Sequence, residues 1–211
     1  MANSDAALRN LVHAIAAQNA AEFSKQLADN SRLARARFEI TNVTRQAAKE
    51  NFVAEVGRYI YRGDTALHFA AAAHNAEVIN VLVAHGADVR AKNRLGDEPL
   101  HAAAVGTPGS ERWDSKAQSA AIKALVEAGA DPNAVNKMGV SPLHRAVRTR
   151  CSEAVRSLLA SGADPAGKNK HGSDALLLAS MNTGRSGSGS AKAKAAQLEI
   201  LRLLEEASRC R

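Results

Sequence analysis

"GDTALHFAAAAHNAEVINVLVAHGADVRAKN", residues 63–93, carries the reading of the whole chain. Thr65 is a good helix N-cap, because its hydroxyl accepts a bond from an otherwise unpaired N–H of the first turn. The alanines from Ala70 to Ala73 have side chains small enough to let a helix lie close against its neighbours. Val78, Ile79, Leu82 and Val83 then fall one turn apart, the pattern of a second helix with a single apolar face. Gly86 ends that helix where a left-handed residue is needed.

The pattern returns three times. "GDEPLHAAAVG" begins at Gly96 and resumes as "AAIKALVEAGADPNAVN"; "GVSPLHRAVRTRCSEAVRSLLASGADPAGKN" begins at Gly139; "GSDALLLAS" begins at Gly172 and resumes as "LEILRLLEEAS". Leu67 and Leu100 are 33 residues apart, as are Leu143 and Leu176, while Leu100 and Leu143 are 43 apart. Self-similarity at such a period marks a repeat architecture. Ser141 and Asp174 are further good caps, Glu98 is a poorer one, and Pro99 and Pro142 take the first helical position, where a missing N–H costs nothing. The second helices keep their apolar pairs at Ile122, Leu125 and Val126, at Val155, Leu158 and Leu159, and at Ile200, Leu203 and Leu204. Gly129 and Gly162 stop two of them, and Ala207 replaces the glycine in the last.

These recurring Thr-Pro-Leu-His and Gly-Ala-Asp signatures, in phase over residues 63–207, resemble the ankyrin family. The resemblance implies an all-α solenoid in which each repeat buries its apolar face only against its neighbours. It also implies a repeat built of a finger-like turn, an inner helix, a short loop and an outer helix. Fingers and inner helices would line a concave groove, with the short loops on the opposite edge. "LVHAIAAQNAAEFSKQLADN" aligns Leu11 with Leu67 and Asn19 with Asn75, so residues 1–30 are expected to form a capping helix pair. The expected organisation is a single domain of about five stacked pairs: the cap, an inserted segment at 31–62, and four repeats over 63–211 with insertions near 105–116 and 181–196.

Composition agrees. Aromatic residues make up only 3% of the chain, which suits thin layers of close-packed helices better than one large core. The net charge of +7 favours an acidic partner. Two cysteines, Cys151 and Cys210, are too few and too distant to read as a disulfide framework, which points to a reducing compartment. Asn10, His13 and Gln18 interrupt the first apolar stretch, so it does not read as a signal peptide, and no run is long enough for a membrane span. A monomeric cytoplasmic protein is expected, and length and composition resemble stand-alone bacterial ankyrin proteins.

Three stretches depart from the pattern. Residues 31–62 hold four of the seven aromatics and seven Lys or Arg against three Glu. Ala48, Phe52, Val56 and Tyr59 keep helical spacing, predicting a helix from about Thr44 to Tyr61. It either packs over the first repeat with its charges solvated, or forms a basic, aromatic wall at one end of the groove. The other two departures lie between inner and outer helices: Leu67–Leu82 and Leu143–Leu158 span 15 residues, but Leu100–Leu125 spans 25 and Leu176–Leu203 spans 27. Both insertions should emerge from the edge away from the fingers, roughly 20 Å apart at the usual interhelical spacing. Between them "RTRCSE" would form a notch floored by Arg148, Arg150 and Cys151. Trp113, the only tryptophan, either fills a gap at the base of its loop or anchors a partner.

Several features imitate chemistry. His68, His101 and His144 recur in phase, but repeats hold them too far apart for one metal ion, and the family uses such histidines to hydrogen-bond its turns. "GRSGSGSAK" has Gly184 and Gly189 at phosphate-loop spacing, yet Ser190 stands where lysine is required, so a flexible linker is the better account. Cys151, near a helix start and two arginines, is in a setting that stabilises a thiolate. No metal or cofactor is expected. The family resemblance implies a non-catalytic module that binds another protein. Tyr59, Tyr61, Arg62, Arg94, Trp113, Lys137, Arg148, Arg150 and Lys170 are the candidate contact residues. Binding of nucleic acid through the basic surface, and a thiol enzyme at Cys151, are the alternatives.

Overall fold

The computed structural model describes residues 2–40, 51–108, 110, 113–181 and 191–209. Among the described residues ten α-helices form five pairs: α1 (Ala2–Ala16) with α2 (Ala20–Asp29), α3 (Ala66–Ala72) with α4 (Ala76–Ala84), α5 (Pro99–Ala103) with α6 (Ser115–Glu127), α7 (Pro142–Arg148) with α8 (Ser152–Ala160), and α9 (Ala175–Ser180) with α10 (Ala191–Arg209). The inner helices α1, α3, α5, α7 and α9 stack in series, and so do the outer helices α4, α6, α8 and α10. The expected all-α solenoid is what the chain forms.

Neighbours supply each other's core. Leu67, Leu100 and Leu143 occupy the same position in successive repeats and are all buried. Burying a leucine contributes on the order of 2 kcal/mol. Leu176 holds the same position in the last repeat, where no further repeat covers it among the described residues, and it is 41% exposed. The N-terminal pair is built like a repeat. Asn19 caps α2 by accepting from Glu22 N, as Asn75 caps α4 by accepting from Val78 N, and the residues just before them, Gln18 and His74, share a left-handed backbone with φ of 54°.

The inserted segment differs from expectation. Residues 41–50, the first half of the predicted Thr44–Tyr61 helix, lie outside the described residues. Its second half is a hairpin, not a helix: β1 (Phe52–Val53) pairs antiparallel with β2 (Arg58–Tyr59) around a 3₁₀ turn at Ala54–Val56. Gly57, with φ of +60°, closes that turn in a conformation glycine adopts at no steric cost. β-Branched Val53 and aromatic Phe52 and Tyr59 favour the extended strands on either side. Phe52 and Tyr59 stand opposite one another with ring centroids 4.8 Å apart. A spacing that suits a helical stripe also places these two rings across a turn.

The two later insertions are only partly loop. α6 has 13 residues and α10 has 19, against 9 each in α4 and α8. Much of the added chain extends the outer helix at its N-terminal end, where Asp114 caps α6 by accepting from Lys116 N and Ala117 N. The linker reading of 182–190 lies outside the described residues.

Candidate functional site

The site is built from the fingers, and the fingers are held by buried polar side chains. Asn93 and Asn136 each accept backbone N–H bonds within their own finger and donate to an aspartate one finger away, Asp64 at 2.9 Å and Asp97 at 2.7 Å. Asp97 is gripped further by Arg145, whose Nη2 lies 3.0 and 2.8 Å from its two oxygens. Burial pushes the Asp97 carboxyl up, but Arg145 and the Asn136 amide outweigh it and hold the carboxyl below its ordinary range. At Asp64 the corresponding guanidinium comes from the hairpin: Arg58 Nη2 lies 2.8 Å away, and its Cζ sits 5.5 Å from the Phe69 ring centroid on α3.

The three in-phase histidines tie one repeat to the next, as the family resemblance implied. The Nδ1 atoms of His68, His101 and His144 accept the backbone N–H of Thr65, Glu98 and Ser141 at 3.1–3.2 Å. Each Nε2–H then donates to a carbonyl of the following finger, Asp97, Val140 or Ser173, at 3.0–3.1 Å. Such a pairing needs neutral imidazole, protonated at Nε2. Burial lowers all three pKa values, that of His101 to about 4. Among the described residues no group of His, Cys, Asp and Glu could hold a metal ion.

Backbone bonds then place the finger tips in register. Arg94 N donates to Arg62 O at 2.7 Å, Lys137 N to Leu95 O at 3.1 Å, and Lys170 N to Met138 O at 3.0 Å. Gly96 makes this approach possible: its φ is +78°, and a Cβ there would lie 2.9 Å from Lys137 N. The tips read Tyr61-Arg62, Arg94-Leu95, Lys137-Met138 and Lys170-His171, so each presents one permanent cation. Arg62, Arg94, Lys137 and Lys170 are all exposed. Arg94 lies over the half-buried Tyr61 ring at 4.8 Å, joining the first two tips. On the hairpin just before the first tip in sequence, Tyr59 and Phe52 form an exposed aromatic pair. The hairpin that carries them meets the inner helices, through Arg58 on Phe69 and through Asn51, which accepts from Arg9 of α1 at 2.8 Å.

A model of ankyrin repeats matches residues 12–111 and 115–206 of the chain, in three copies. The chain belongs to the ankyrin-repeat family. Ankyrin repeats are generally protein–protein interaction modules. The chain is also similar to two human proteins, transient receptor potential cation channel subfamily V members 5 and 6, at 45% identity over 42 residues in each case. That stretch is 20% of this chain and 6% of each channel, so the similarity covers a short part of either. Among the described residues, no helix of this ankyrin chain is long and apolar enough to cross a membrane.

On the opposite edge the ankyrin stack rearranges what the sequence suggested. The third repeat's short loop does lie between the two insertions: a Cβ on Gly106 would collide with the Trp113 indole nitrogen and lie 2.7 Å from Cys151 Sγ, while on the other side Arg150 lines a small cavity together with Met181 and Gln197. Yet the floor is not an exposed basic surface. Arg148 is exposed, but Arg150 is only 9% exposed. Trp113 fills the space over Gly106 at the base of its own loop. Its indole N–H donates to Gln118 at 3.1 Å, and the Gln118 amide donates to Ala103 O, at the end of α5, at 2.9 Å. The indole is half-buried and packs against the core.

Cys151 is fully buried, and burial pushes its thiol above the ordinary value. The groups that act on it are Thr149, Gln118 and the Gly106 backbone rather than the two arginines. The thiolate-stabilising setting expected from the sequence is therefore absent at this residue. Leu95 and Met138, 38% and 47% exposed at the finger tips, escaped notice in the sequence. Their signal was positional: each precedes the glycine of its finger, where buried residues are not found.

Proposed function

We propose that the chain is a non-catalytic protein-binding module that holds an acidic segment of a partner protein along its finger tips and inner-helix face. The observation that carries this reading is the row itself. Arg62, Arg94, Lys137 and Lys170 repeat at one per finger, locked in register by backbone bonds, with apolar Leu95 and Met138 exposed between them. Cations spaced around apolar contact points suit an acidic peptide that also offers hydrophobic side chains, the first by charge and the second by buried area. Tyr59 and Phe52 would close the N-terminal end of that surface. The chain acts on this reading as a monomer in the cytoplasm, the compartment its few cysteines fit.

The test is a charge reversal. The double variant Arg94→Glu with Lys137→Glu is compared with Lys123→Glu, on the outer helix α6, in pull-downs from native lysate. The finger variant should lose partners that the α6 variant keeps. Identical sets of captured proteins would remove the finger row as the binding surface. Recovery of nucleic acid, with binding that falls steeply as salt rises, would shift the reading to the phosphate-binding alternative.

A further inference from the structure

Counted back from the glycine that closes each finger, Gly63, Gly96, Gly139 or Gly172, the tips fall into two columns. Two residues before the glycine stand Tyr61, Arg94, Lys137 and Lys170; one residue before it stand Arg62, Leu95, Met138 and His171. The interrepeat bonds keep this phase, since Arg94, Lys137 and Lys170 donate from the first column to carbonyls of the second, on Arg62, Leu95 and Met138. The first column therefore holds three cations in equivalent places on three successive fingers, with exposed Leu95 and Met138 set between them. Arg62 belongs to the other column and has Glu39 at 3.6 Å.

The column keeps its charge. Of the finger acids, Asp64, Asp88, Asp97 and Asp131 pair with Arg58, Arg37, Arg145 and Arg90 in turn. Among the described residues Lys137 and Lys170 have no acidic partner, and Arg94 rests on the Tyr61 ring, which leaves its guanidinium charged. Spacing then selects the conformation of what binds. Stacked helices lie about 8–10 Å apart, so equivalent side chains on neighbouring fingers repeat at about that interval. A polyproline II segment returns a side chain to the same face every three residues, at roughly 9.3 Å. A β-strand does so every second residue at about 6.6 Å and every fourth at about 13 Å, and neither fits. In an α-helix the seventh residue returns at about 10.5 Å, beyond the interval.

We infer that the partner lies along the fingers as an extended polyproline II segment with an Asp or Glu at every third residue, these carboxylates meeting Arg94, Lys137 and Lys170 in turn. The residues between the acids fall beside Leu95 and Met138, where apolar side chains fit. Proline there fixes φ near the polyproline II value, so less chain entropy is lost on binding. Each ion pair on so exposed a surface is weak, and discrimination comes from meeting all three cations at once. This deepens the protein-binding reading above, on which it rests, by giving the acidic partner a conformation and a sequence period.

The probes are fluorescein-labelled synthetic peptides of one length and one composition, each with three Glu placed at every second, third, fourth or seventh residue. Fluorescence anisotropy with the full chain at low salt gives each Kd. The third-residue peptide should bind tightest, by at least about fivefold. Arg94→Gln with Lys137→Gln leaves one cation in the column and should bring the four affinities to within about twofold of one another. Both side chains are exposed and their backbone bonds are kept, so this variant should fold. Lys123→Gln, on the outer helix α6, should keep the third-residue preference. Equal affinity for all four peptides would overturn the inference and leave an acidic partner recognised by charge alone. Tightest binding of the seventh-residue peptide would overturn it in favour of a helix, and no binding by any peptide would overturn it outright. So would tighter binding of a single-stranded oligonucleotide of the same charge, which would assign the column to phosphate. The pull-down can succeed whichever of these is seen, so failure of the spacing and failure of the binding face are told apart.

Discussion

Acid should loosen the stack at the junctions between repeats, and His101 sets the size of the effect. Its Nδ1 accepts from Glu98 N and its Nε2 donates to Val140 O, so no site remains for a second proton unless one of these bonds breaks. Asp97 and Arg145 face the same ring and act in opposite directions, the first raising and the second lowering its pKa, while burial dominates and brings it to about 4. In the unfolded chain the same imidazole titrates near its ordinary value of about 6.5. The folded pKa is the lower one, so the contribution is fully present above the unfolded value and is lost as pH falls from there towards the folded value. Between pH 7 and pH 5 the unfolded state takes up nearly one proton that folded His101 refuses, which lowers stability by roughly 2 kcal/mol. His68 and His144 shift in the same direction and add to the slope. Urea unfolding followed by circular dichroism at several pH values across this range measures it. His101→Gln should be less stable at pH 7 but show a shallower fall, by up to about 1.4 kcal/mol per pH unit. A pH slope unchanged in His101→Gln, or a wild type equally stable at pH 5 and pH 7, would refute the reasoning.

Three further outcomes follow from particular contacts. Gly96→Ala puts a side chain at φ of +78° and within 2.9 Å of Lys137 N, so it should destabilise by about 2 kcal/mol in the same urea assay and weaken protection of the Lys137 amide against hydrogen exchange. Glu98→Thr should stabilise by about 1 kcal/mol, because threonine is the better N-cap and the change removes a buried carboxyl whose Oε2 has no partner, at the loss only of the weak pairing of Oε1 with the exposed Lys92 at 3.6 Å; a midpoint at or below wild type would contradict this. Cys151 should resist alkylation in the native state at neutral pH and react at full speed in urea, since its thiol is buried and pushed up; rapid native labelling would contradict that burial.

The stack was legible because its logic is local and repeated. A cap, a proline, a leucine and a histidine recur at the same offsets, and each offset is set by one turn of helix or one interrepeat bond. His68, His101 and His144 could be assigned to structure because the ankyrin resemblance implies hydrogen-bonded turn histidines and successive repeats hold them too far apart to share one metal ion. The hairpin was not legible in the same way. Phe52, Val56 and Tyr59 fit a helical stripe, and the contrary signal was a single glycine, Gly57, inside that stripe. Arg150 and Trp113 show a different limit. Both were placed in the right loops, but side-chain direction depends on backbone hand and on what fills the space behind. Alignment of Arg150 with His74 would have suggested that it turns inward, since both precede the cap of an outer helix. The direction of Trp113 depended on Gly106, whose missing side chain makes the room the indole fills.

The finger row as the binding face is tested most directly by attaching a photo-crosslinking side chain at Met138, between Lys137 and the neighbouring finger, and separately at Lys123 on the outer face of α6, both exposed. Irradiation in native lysate should give covalent protein adducts from position 138 that contain acidic segments, and none of those adducts from position 123. Adducts from position 123 alone would place the partner on the outer helices and contradict the account.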